Sequence, residues 1–352
     1  MQTVTPAVNP SVCPRAIPSP SQEVGTSYLS LIRKNLEFQG HSQASIKTIL
    51  ASWRTGTNSQ YQSYISKWQK FCEQRKCDCI SPPLTIAVDF LAMLYNSGLS
   101  YSSVNTARSA LSNLLQLRDV NMPFGQLPVV KRFMKGLYEL RPSFPRYQSI
   151  WDVSIVLNYL RKKPDGPEIS LKELTLRLTF LLCILSGQRC QTIYHLRIDH
   201  KELTEEKCTF FIVDKVKQSR VGHHVKPLEF LAYPKERTLC VVTHIRDYVS
   251  QTASIRKCQQ LLISYVKPNG PVSKDTISRW CKAVLGAAGV DISKFKGHST
   301  RAASTSHLAE CNFKIQDIIS CAGWSNEAVF QRFYNKPATS SFNFGKAILD
   351  SA

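Results

Sequence analysis

The sequence predicts a mainly helical protein of two domains, with one small β element in the second domain. Apolar residues recur at three- and four-residue steps through most of the 352 residues, which is the pattern of helices with one buried face. Between Cys208 and Phe230 the composition changes to β-branched and aromatic residues around a short polar turn, which indicates a β-hairpin. The segment "RPSFPRYQSI", Arg141 to Ile150, has two prolines and no periodicity, so we place an interdomain linker at 142–150.

The chain begins with a segment that we expect to be disordered, residues 1–25. Its prolines remove backbone donors and break a helix before it nucleates; they are Pro6, Pro10, Pro14, Pro18 and Pro20. The segment has no uninterrupted apolar core of a secretion signal, and no run in the chain reaches the ~20 apolar residues of a membrane helix. We therefore expect neither secretion nor a membrane span.

The first domain, 26–141, is predicted to be all helical. Apolar periodicity runs from Leu29 to Trp53 and, after a break at Gly56, resumes on a second basic and aromatic helix. A third helix follows Pro82–Pro83 and ends at Asn96-Ser97-Gly98. These helices have enough apolar faces to form a small core of their own.

A fourth helix of this domain is predicted to begin at Ser102 or Ser103, whose hydroxyl would cap it. Its polar side carries Asn105, Arg108 and Ser112. Because they lie on a helix of a basic domain, we predict that these three side chains contact DNA. The alternative is that they are ordinary solvated residues.

The second domain, 151–340, opens with a helix at Trp151–Leu160 and continues with a long apolar helix that ends at Gly187. The predicted hairpin follows, with its turn at Gly222. Five further stretches have helical periodicity: "LCVVTHIRDYV", "SKDTISRWCKAVLGAAGV", "STRAASTSHLAE", "KIQDIISCAGW" and "NEAVFQRFY".

Composition favours a polyanionic partner and disfavours disulfides. The chain has 45 Lys and Arg against 25 Asp and Glu, a net charge of +20, which favours nucleic acid over the alternatives of a merely basic protein or an anionic membrane surface. The 12 cysteines are scattered, and the cluster Cys72, Cys77 and Cys79 has no second ligand pair at zinc-site spacing. We expect reduced thiols and no metal site.

Polar residues in the second domain are candidates for an anion site. His298 and Arg301 are three residues apart, so on a helix both can contact one anion. Arg189 directly follows a strongly apolar helix, where a guanidinium is costly unless an anion meets it. Taken alone, the first pair is also consistent with a capped core helix, and Arg189 with a carboxylate partner.

Two further features are ordinary by themselves. Lys215 and Lys217 are predicted near the end of the first hairpin strand, from which a lysine could reach a bound backbone. Tyr334 is predicted near the end of a helix that Pro337 prevents from continuing. Most such lysines are solvated, and most such tyrosines are half-buried packing residues.

In order and spacing, these residues resemble the tyrosine recombinase, or phage integrase, family. The series is Arg189, Lys217, His298-x-x-Arg301, Trp324 and Tyr334. The segments "LSGQRCQTIYHLRIDH" and "HSTRAASTSHLAECNFKIQDIISCAGWSNEAVFQRFYNKP" are similar to the family's segments around the same positions. The resemblance covers about residues 45–340 and is closest to the eukaryotic branch of DIRS-type retrotransposon and Crypton recombinases, in which a tryptophan takes the place that Trp324 has here.

The resemblance implies a role for each of these residues. Arg189 and Arg301 would bind the non-bridging oxygens of a scissile phosphate, and His298 and Trp324 would donate further hydrogen bonds. Tyr334 would attack phosphorus after losing its proton to His298, which gives a 3′-phosphotyrosyl enzyme. The chemistry that the family uses requires neither a cofactor nor a metal nor ATP.

Two details of the resemblance depart from a perfect match. The general acid that protonates the departing 5′ oxygen is either Lys215 or Lys217, and we favour Lys217 because Lys-x-x-Arg before the turn fits the branch pattern better. The interval from Trp324 to Tyr334 is one residue longer than in typical bacterial members.

The resemblance also implies an architecture and partners. It implies a helical, SAM-like core-binding domain at 26–141 and a catalytic domain at 151–340, which together enclose double-stranded DNA. It further implies a homotetramer on paired sites, with the tail 341–352 as a candidate for docking on a neighbouring protomer, and residence in the nucleus. The rival functions are a type IB topoisomerase, which shares this chemistry, and a domesticated DNA-binding protein without activity.

Overall fold

The computed structural model describes residues 27–117, 121–142, 149–166, 168–219, 222, 225–324 and 326–336. The chain divides into two compact units, Met1–Phe144 and Pro145–Ala352, and the division falls within the segment predicted as a linker. The predicted disordered leader 1–25 and the tail 341–352 lie outside the described residues.

The first unit is built of helices around one apolar core. Its elements are α1 Tyr28–Phe38, α2 Gln43–Leu50, α3 Thr55–Arg75, α4 Leu84–Asn96, α5 Tyr101–Leu114, a 3-10 turn Phe124–Gln126 and α6 Pro128–Leu140. Trp68 of α3 lies at the centre of this core, fully buried against Phe71 and Phe90. Its indole N–H donates to the Cys79 carbonyl, so the buried donor is satisfied.

Two predicted helix starts in this unit were wrong by a few residues. Helix α5 is capped by Ser100, whose hydroxyl accepts from the Ser103 N–H, and not by Ser102 or Ser103. Gly56 does not break the chain but lies in the first turn of α3. Glycine is tolerated at that position because the amides of the first turn have no helical partner to lose.

The second unit packs its helices around α8. Its elements are α7 Val153–Arg161, α8 Leu171–Ser186, α9 Cys190–Tyr194, β1 Lys201–Leu203, β2 Lys207–Phe210, β3 Leu228–Leu231, a 3-10 turn Arg237–Leu239, α10 Val241–Thr252, α11 Lys274–Ala287, α12 Ser299–Glu310, α13 Ile315–Ala322 and α14 Glu327–Phe333. Helices α10, α11 and α12 each pack on α8. All residues of α8 from Leu174 to Ile184 except Leu176 are buried, so this helix is enclosed on nearly all sides.

The β element is a three-stranded antiparallel sheet in the order β1-β2-β3. Strand β2 pairs with β3 as Phe210↔Leu228, which agrees with the predicted pairing of these two stretches. Only the predicted short turn at Gly222 was wrong, because β2 ends at Phe210 and β3 begins at Leu228, with no further strand among the described residues between them. Strand β1 was not predicted, since its three residues are only partly buried and show no apolar alternation.

None of the described helices is long and apolar enough to cross a membrane. Within the described ranges, no group of three or more His, Cys, Asp or Glu side chains is arranged to hold a metal ion. The described cysteines, including Cys72, Cys77 and Cys79, are free thiols.

Candidate active site

The centre of the candidate site is the start of α12. His298 is the N-cap residue of this helix and Arg301 lies in its first turn, so the predicted three-residue spacing does place both on one side. The following side chains are small, and residues 299–306 are all buried. Arg301 is therefore carried into the interior of the unit, where its side chain is fully buried.

Arg301 is held by the end of α8. Gly187 closes that helix in the left-handed conformation, with φ of 59°, and its carbonyl accepts a hydrogen bond of 2.7 Å from Arg301 Nη1. A side chain at Gly187 would also meet Thr305 of α12, because a Cβ built there lies 3.3 Å from Thr305 Cγ2. The glycine thus permits both the reversal of the chain before Arg189 and the close approach of α12.

Gly187→Ala is expected to destabilise the second unit by about 1 kcal/mol, because alanine is strained at positive φ and has little room against α12. For a unit of this size the loss corresponds to a melting temperature lower by about 2–4 °C. Gly136→Ala is the matched control, since Gly136 lies in α6 with open space around its Cα and should tolerate a methyl group. Equal melting temperatures for Gly187→Ala and the native chain would contradict this account of the turn.

Several buried donors around Arg301 have no acceptor. Among the described residues, no hydrogen-bond partner exists for Arg301 Nε, Arg301 Nη2, Arg189 Nη1 or the indole Nε1 of Trp324. A buried donor without an acceptor costs about 1–3 kcal/mol, and more when it is charged. The described part of the chain therefore leaves these donors without an acceptor of its own, and an anion with several oxygens satisfies them best.

The two guanidinium groups also lack a carboxylate. Neither Arg189 nor Arg301 forms an ion pair with an acidic side chain in the described part of the chain. Burial, and after it the positive charge of Arg189, lower the pKa of Arg301 to about 9 against an opposing effect of Tyr334. Arg301 nevertheless keeps its charge at pH 7, so the site holds positive charge without a carboxylate counterion among the described residues.

Trp324 and Tyr334 complete the cluster. Helix α13 ends at Gly323, which is left-handed with φ of 68°, and the chain then turns Trp324 inward. The Arg301 Cζ lies 3.9 Å from the centroid of the Trp324 ring and 5.4 Å from that of Tyr334. Tyr334 is the C-cap residue of α14, and its ring centroid is 4.6 Å from that of Trp324. The structure thus brings the phenol beside the unpartnered donors.

His298 borders the same cluster, with its ring centroid 6.5 Å from that of Tyr334. The side chain of His298 is partly exposed, but the surrounding protein desolvates its ring and so lowers its pKa. The charges of Arg301, Arg189 and Lys217 act in the same direction, while Cys190 opposes the shift. The imidazole is therefore neutral at pH 7. A neutral imidazole can accept a proton, which is the property that a general base requires.

The two candidate lysines differ in their relation to this cluster. Lys215 and Lys217 are both exposed in the segment after β2. The charge of Lys217 is one of the influences that lower the pKa of His298. The choice of Lys217 over Lys215 as the general acid stays a prediction.

Sequence reasoning missed two glutamines that connect the parts of the site. Gln218 donates from its amide to Gln188 Oε1 at 3.2 Å and to the Ala322 carbonyl at 3.3 Å. Gln188 in turn donates to the Cys321 carbonyl at 2.6 Å. These bonds join the loop before α9, the segment after β2 and the end of α13. The one signal in the sequence was that each glutamine is adjacent to a predicted site residue, Arg189 or Lys217.

The predicted DNA contacts lie on α5 in the first unit and are half-buried. The hydroxyl of Ser112 donates to the Arg108 carbonyl and accepts from the Gly125 N–H. Arg108 Nη1 donates to the Gly125 carbonyl. Ser112 is thus already used in holding the 3-10 turn against α5, which sequence spacing could not show. Contacts from Asn105, Arg108 and Ser112 to DNA stay predictions.

Comparison with known proteins matches this architecture. The family model described as "Phage integrase family" matches residues 158–340. The XerH site-specific recombinase, bound to palindromic difH substrate in a post-cleavage complex, is similar over 94% of this chain and 97% of its own, at 13% identity and a TM-score of 0.56. The Tn1549 transposon integrase in complex with transposon right end DNA is similar over 92% and 98%, at 12% identity and a TM-score of 0.53.

A lambda integrase dimer bound to a COC′ core site is similar over 90% of this chain and 96% of its own, at 14% identity and a TM-score of 0.50. The search of curated proteins returned no match. At such identities the likeness to solved structures is one of fold. It confirms the predicted fold class, a mainly helical chain with a small sheet in its second unit.

Proposed function

This chain belongs to the phage integrase family, and from that premise we propose that it is a site-specific DNA recombinase that acts through a 3′-phosphotyrosyl intermediate on Tyr334. One observation carries the proposal. The buried donors of Arg189, Arg301 and Trp324 have no acceptor in the described part of the chain, and those of Arg301 and Trp324 lie beside a tyrosine. A phosphodiester supplies the missing acceptors, and the phenol supplies a nucleophile.

The first step of the proposed mechanism is capture of the scissile phosphate. Arg189 and Arg301 donate to its two non-bridging oxygens, and the indole N–H of Trp324 adds a third donor. These groups are fixed before the substrate arrives, because Arg301 is buried and bonded to Gly187. Preorganised donors of this kind stabilise the charge that accumulates on the phosphoryl oxygens in the transition state.

In the second step the Tyr334 oxygen attacks phosphorus and its proton passes to His298, which is neutral at pH 7. The bond from phosphorus to the 5′ oxygen breaks, and Lys217 protonates that oxygen. The products are a 3′-phosphotyrosyl bond and a free 5′-hydroxyl. Because the phosphotyrosyl bond conserves the energy of the phosphodiester, a 5′-hydroxyl from another strand can reverse the step and complete recombination.

The proposed substrate is double-stranded DNA, and the proposed active form is a homo-oligomer, a tetramer on paired sites. The net charge of +20 supports a polyanionic partner, and the similar XerH, Tn1549 and lambda proteins were solved with DNA, the last as a dimer. From the resemblance to DIRS-type and Crypton recombinases we also propose a mobile-element origin and residence in the nucleus.

A nicked DNA substrate tests the proposal directly. A nick next to the cleavage point lets the short 5′-hydroxyl fragment diffuse away, so the covalent complex accumulates. We expect a randomised pool of such nicked duplexes to give a denaturant-resistant protein–DNA complex with the DNA attached at Tyr334. DNA binding without any covalent complex would favour a non-catalytic protein, and relaxation of supercoiled plasmid without strand exchange would favour a topoisomerase.

Lys217→Ala is expected to slow covalent complex formation by about 10²-fold or more, because the 5′ alkoxide then leaves without a proton. The measurement is the single-turnover rate on the nicked substrate and on the same substrate with sulfur as the 5′-bridging atom. A thiolate leaves without protonation, so the sulfur substrate should restore the rate of Lys217→Ala to that of the native chain. Lys215→Ala is the matched control and should be near native on both substrates; selective rescue of Lys215→Ala would instead assign the acid to Lys215.

A further inference from the structure

A buried serine connects the phosphate-binding helix to the backbone beside the tyrosine. Ser306 lies on α12, five residues after Arg301, and its side chain is 1% exposed. Its hydroxyl donates to the Tyr334 carbonyl at 2.5 Å and accepts from the Lys336 N–H at 2.9 Å. The hydroxyl thus uses both its donor and an acceptor on the two residues that flank Asn335.

These bonds meet a need of the local structure. Helix α14 has seven residues and ends at Tyr334, whose carbonyl lies beyond the last helical hydrogen bond. The amides of Tyr334 and Asn335 both bond to the Phe330 carbonyl, so the turn closes there and the chain leaves the helix. Without the Ser306 hydroxyl, the Tyr334 carbonyl would lose the donor that bonds to it, and the end of this short helix would fray.

We propose that Ser306 is a positioning residue that holds the backbone of Tyr334 at a set distance from Arg301. This inference rests on the proposed function. Ser306 and Arg301 belong to one helix, α12. The backbone of the nucleophile and the phosphate-binding guanidinium are therefore both held by that helix, so their relative position is fixed. Attack on phosphorus depends steeply on such alignment, since a displacement of about 1 Å can cost about 10²-fold in rate.

Ser304 provides a matched control on the same helix. It is also buried, but its hydroxyl donates to the Arg301 carbonyl within α12 and does not contact the segment of Tyr334 among the described bonds. Ser304→Ala and Ser306→Ala remove the same atom from the same helix. A difference between them therefore reports on the bonds to Tyr334 and Lys336.

The test separates positioning of the tyrosine from activation of the phosphate. Single-turnover cleavage of the nicked substrate is measured for both serine variants, and Ser306→Ala is expected to be slower than the native chain by about 10- to 100-fold. The same serine variants are then placed in a Tyr334→Phe background, with hydrogen peroxide as a small external nucleophile that attacks phosphorus and releases the 5′ oxygen. This reaction needs the arginines but not the tyrosine.

We expect Ser306→Ala to leave the peroxide reaction unchanged, and Ser306→Thr, which keeps the hydroxyl, to recover most of the tyrosine reaction. Equal slowing of both reactions would mean that Ser306 supports α12 as a whole, and an unchanged tyrosine reaction would mean that the bonds have no role in attack. Either outcome overturns the inference. Absence of a covalent complex with the native chain would instead contradict the proposed function, so the two failures are distinguishable.

Discussion

Tyr334→Phe is expected to abolish the covalent protein–DNA complex and to leave DNA binding intact. Phenylalanine removes one oxygen and keeps the ring, which packs 4.6 Å from Trp324 between centroids and contacts the hydrophobic cluster formed by α13 and α14. The fold and the arginine donors should therefore persist. Loss of a covalent nucleophile from an otherwise complete site typically costs on the order of 10⁴-fold or more.

Two assays on the same samples provide the measurement. Denaturing gels report the covalent complex on the nicked substrate, and mobility shifts under native conditions report binding. Tyr265→Phe is the matched control, because Tyr265 belongs to the same unit but stacks on Trp280, 5.3 Å away between ring centroids, outside the candidate site. It should form the complex at the native rate. A complex that persists in Tyr334→Phe would assign the nucleophile to another residue.

The relative position of two side chains was predictable where both belong to the same helix. His298 and Arg301 share one side of α12 because three residues are nearly one helical turn, and Gly187 ends α8 because glycine accepts the left-handed conformation that closes a helix. The positions of most helices followed in the same way from apolar periodicity. These are local properties, which neighbouring residues decide.

Contacts between distant segments were not predictable from spacing. The bond from Arg301 to the Gly187 carbonyl joins residues 114 apart, and the pairing of Gln188 with Gln218 depends on how two loops meet. The cap of α5 was predicted at Ser102 or Ser103, but both residues are already helical. Ser100 caps the helix because its backbone is still extended and its hydroxyl accepts from the Ser103 N–H. The short strand β1 has no apolar alternation to mark it in the sequence, and its pairing with β2 is a contact that spacing does not show.

Arg301→Met is expected to lower the rate of DNA cleavage and to raise the stability of the free protein. The loss of two charged donors to the phosphate should slow cleavage by about 10²–10³-fold or more. The gain arises because Arg301 is fully buried beside Arg189 with no carboxylate partner among the described residues, which is costly until DNA binds. Replacing a buried ion pair by apolar side chains of similar volume can stabilise a protein by about 1–4 kcal/mol. We expect a smaller gain for this single ion, because the lost bond to Gly187 and the lost contact with the Trp324 ring each offset about 1 kcal/mol.

The stability difference between Arg301→Met and the native chain should depend on pH in a direction that identifies the buried charge as its cause. Burial and Arg189 lower the pKa of Arg301 from 12.5 to about 9 in the folded protein. Below pH 9 both the folded and the unfolded chains carry the charge, so the full cost of burial is present. Above pH 9 the folded chain releases the proton while the unfolded chain keeps it, so the free energy of unfolding of the native chain rises with pH. The stability advantage of Arg301→Met should therefore be largest near pH 7 and shrink as the pH approaches 10.

Chemical denaturation at pH 7 and at pH 10 measures the change in stability. The single-turnover rate on the nicked substrate measures the change in cleavage. Arg279→Met is the matched control, since Arg279 is exposed on α11 and its loss should change neither stability nor cleavage by much. If Arg301→Met were less stable than the native chain at pH 7, Arg301 would be a structural residue whose bond to Gly187 outweighs its burial. A stabilised and inactive variant would instead show that the fold carries this charge at a cost, because the charge serves to bind the phosphate.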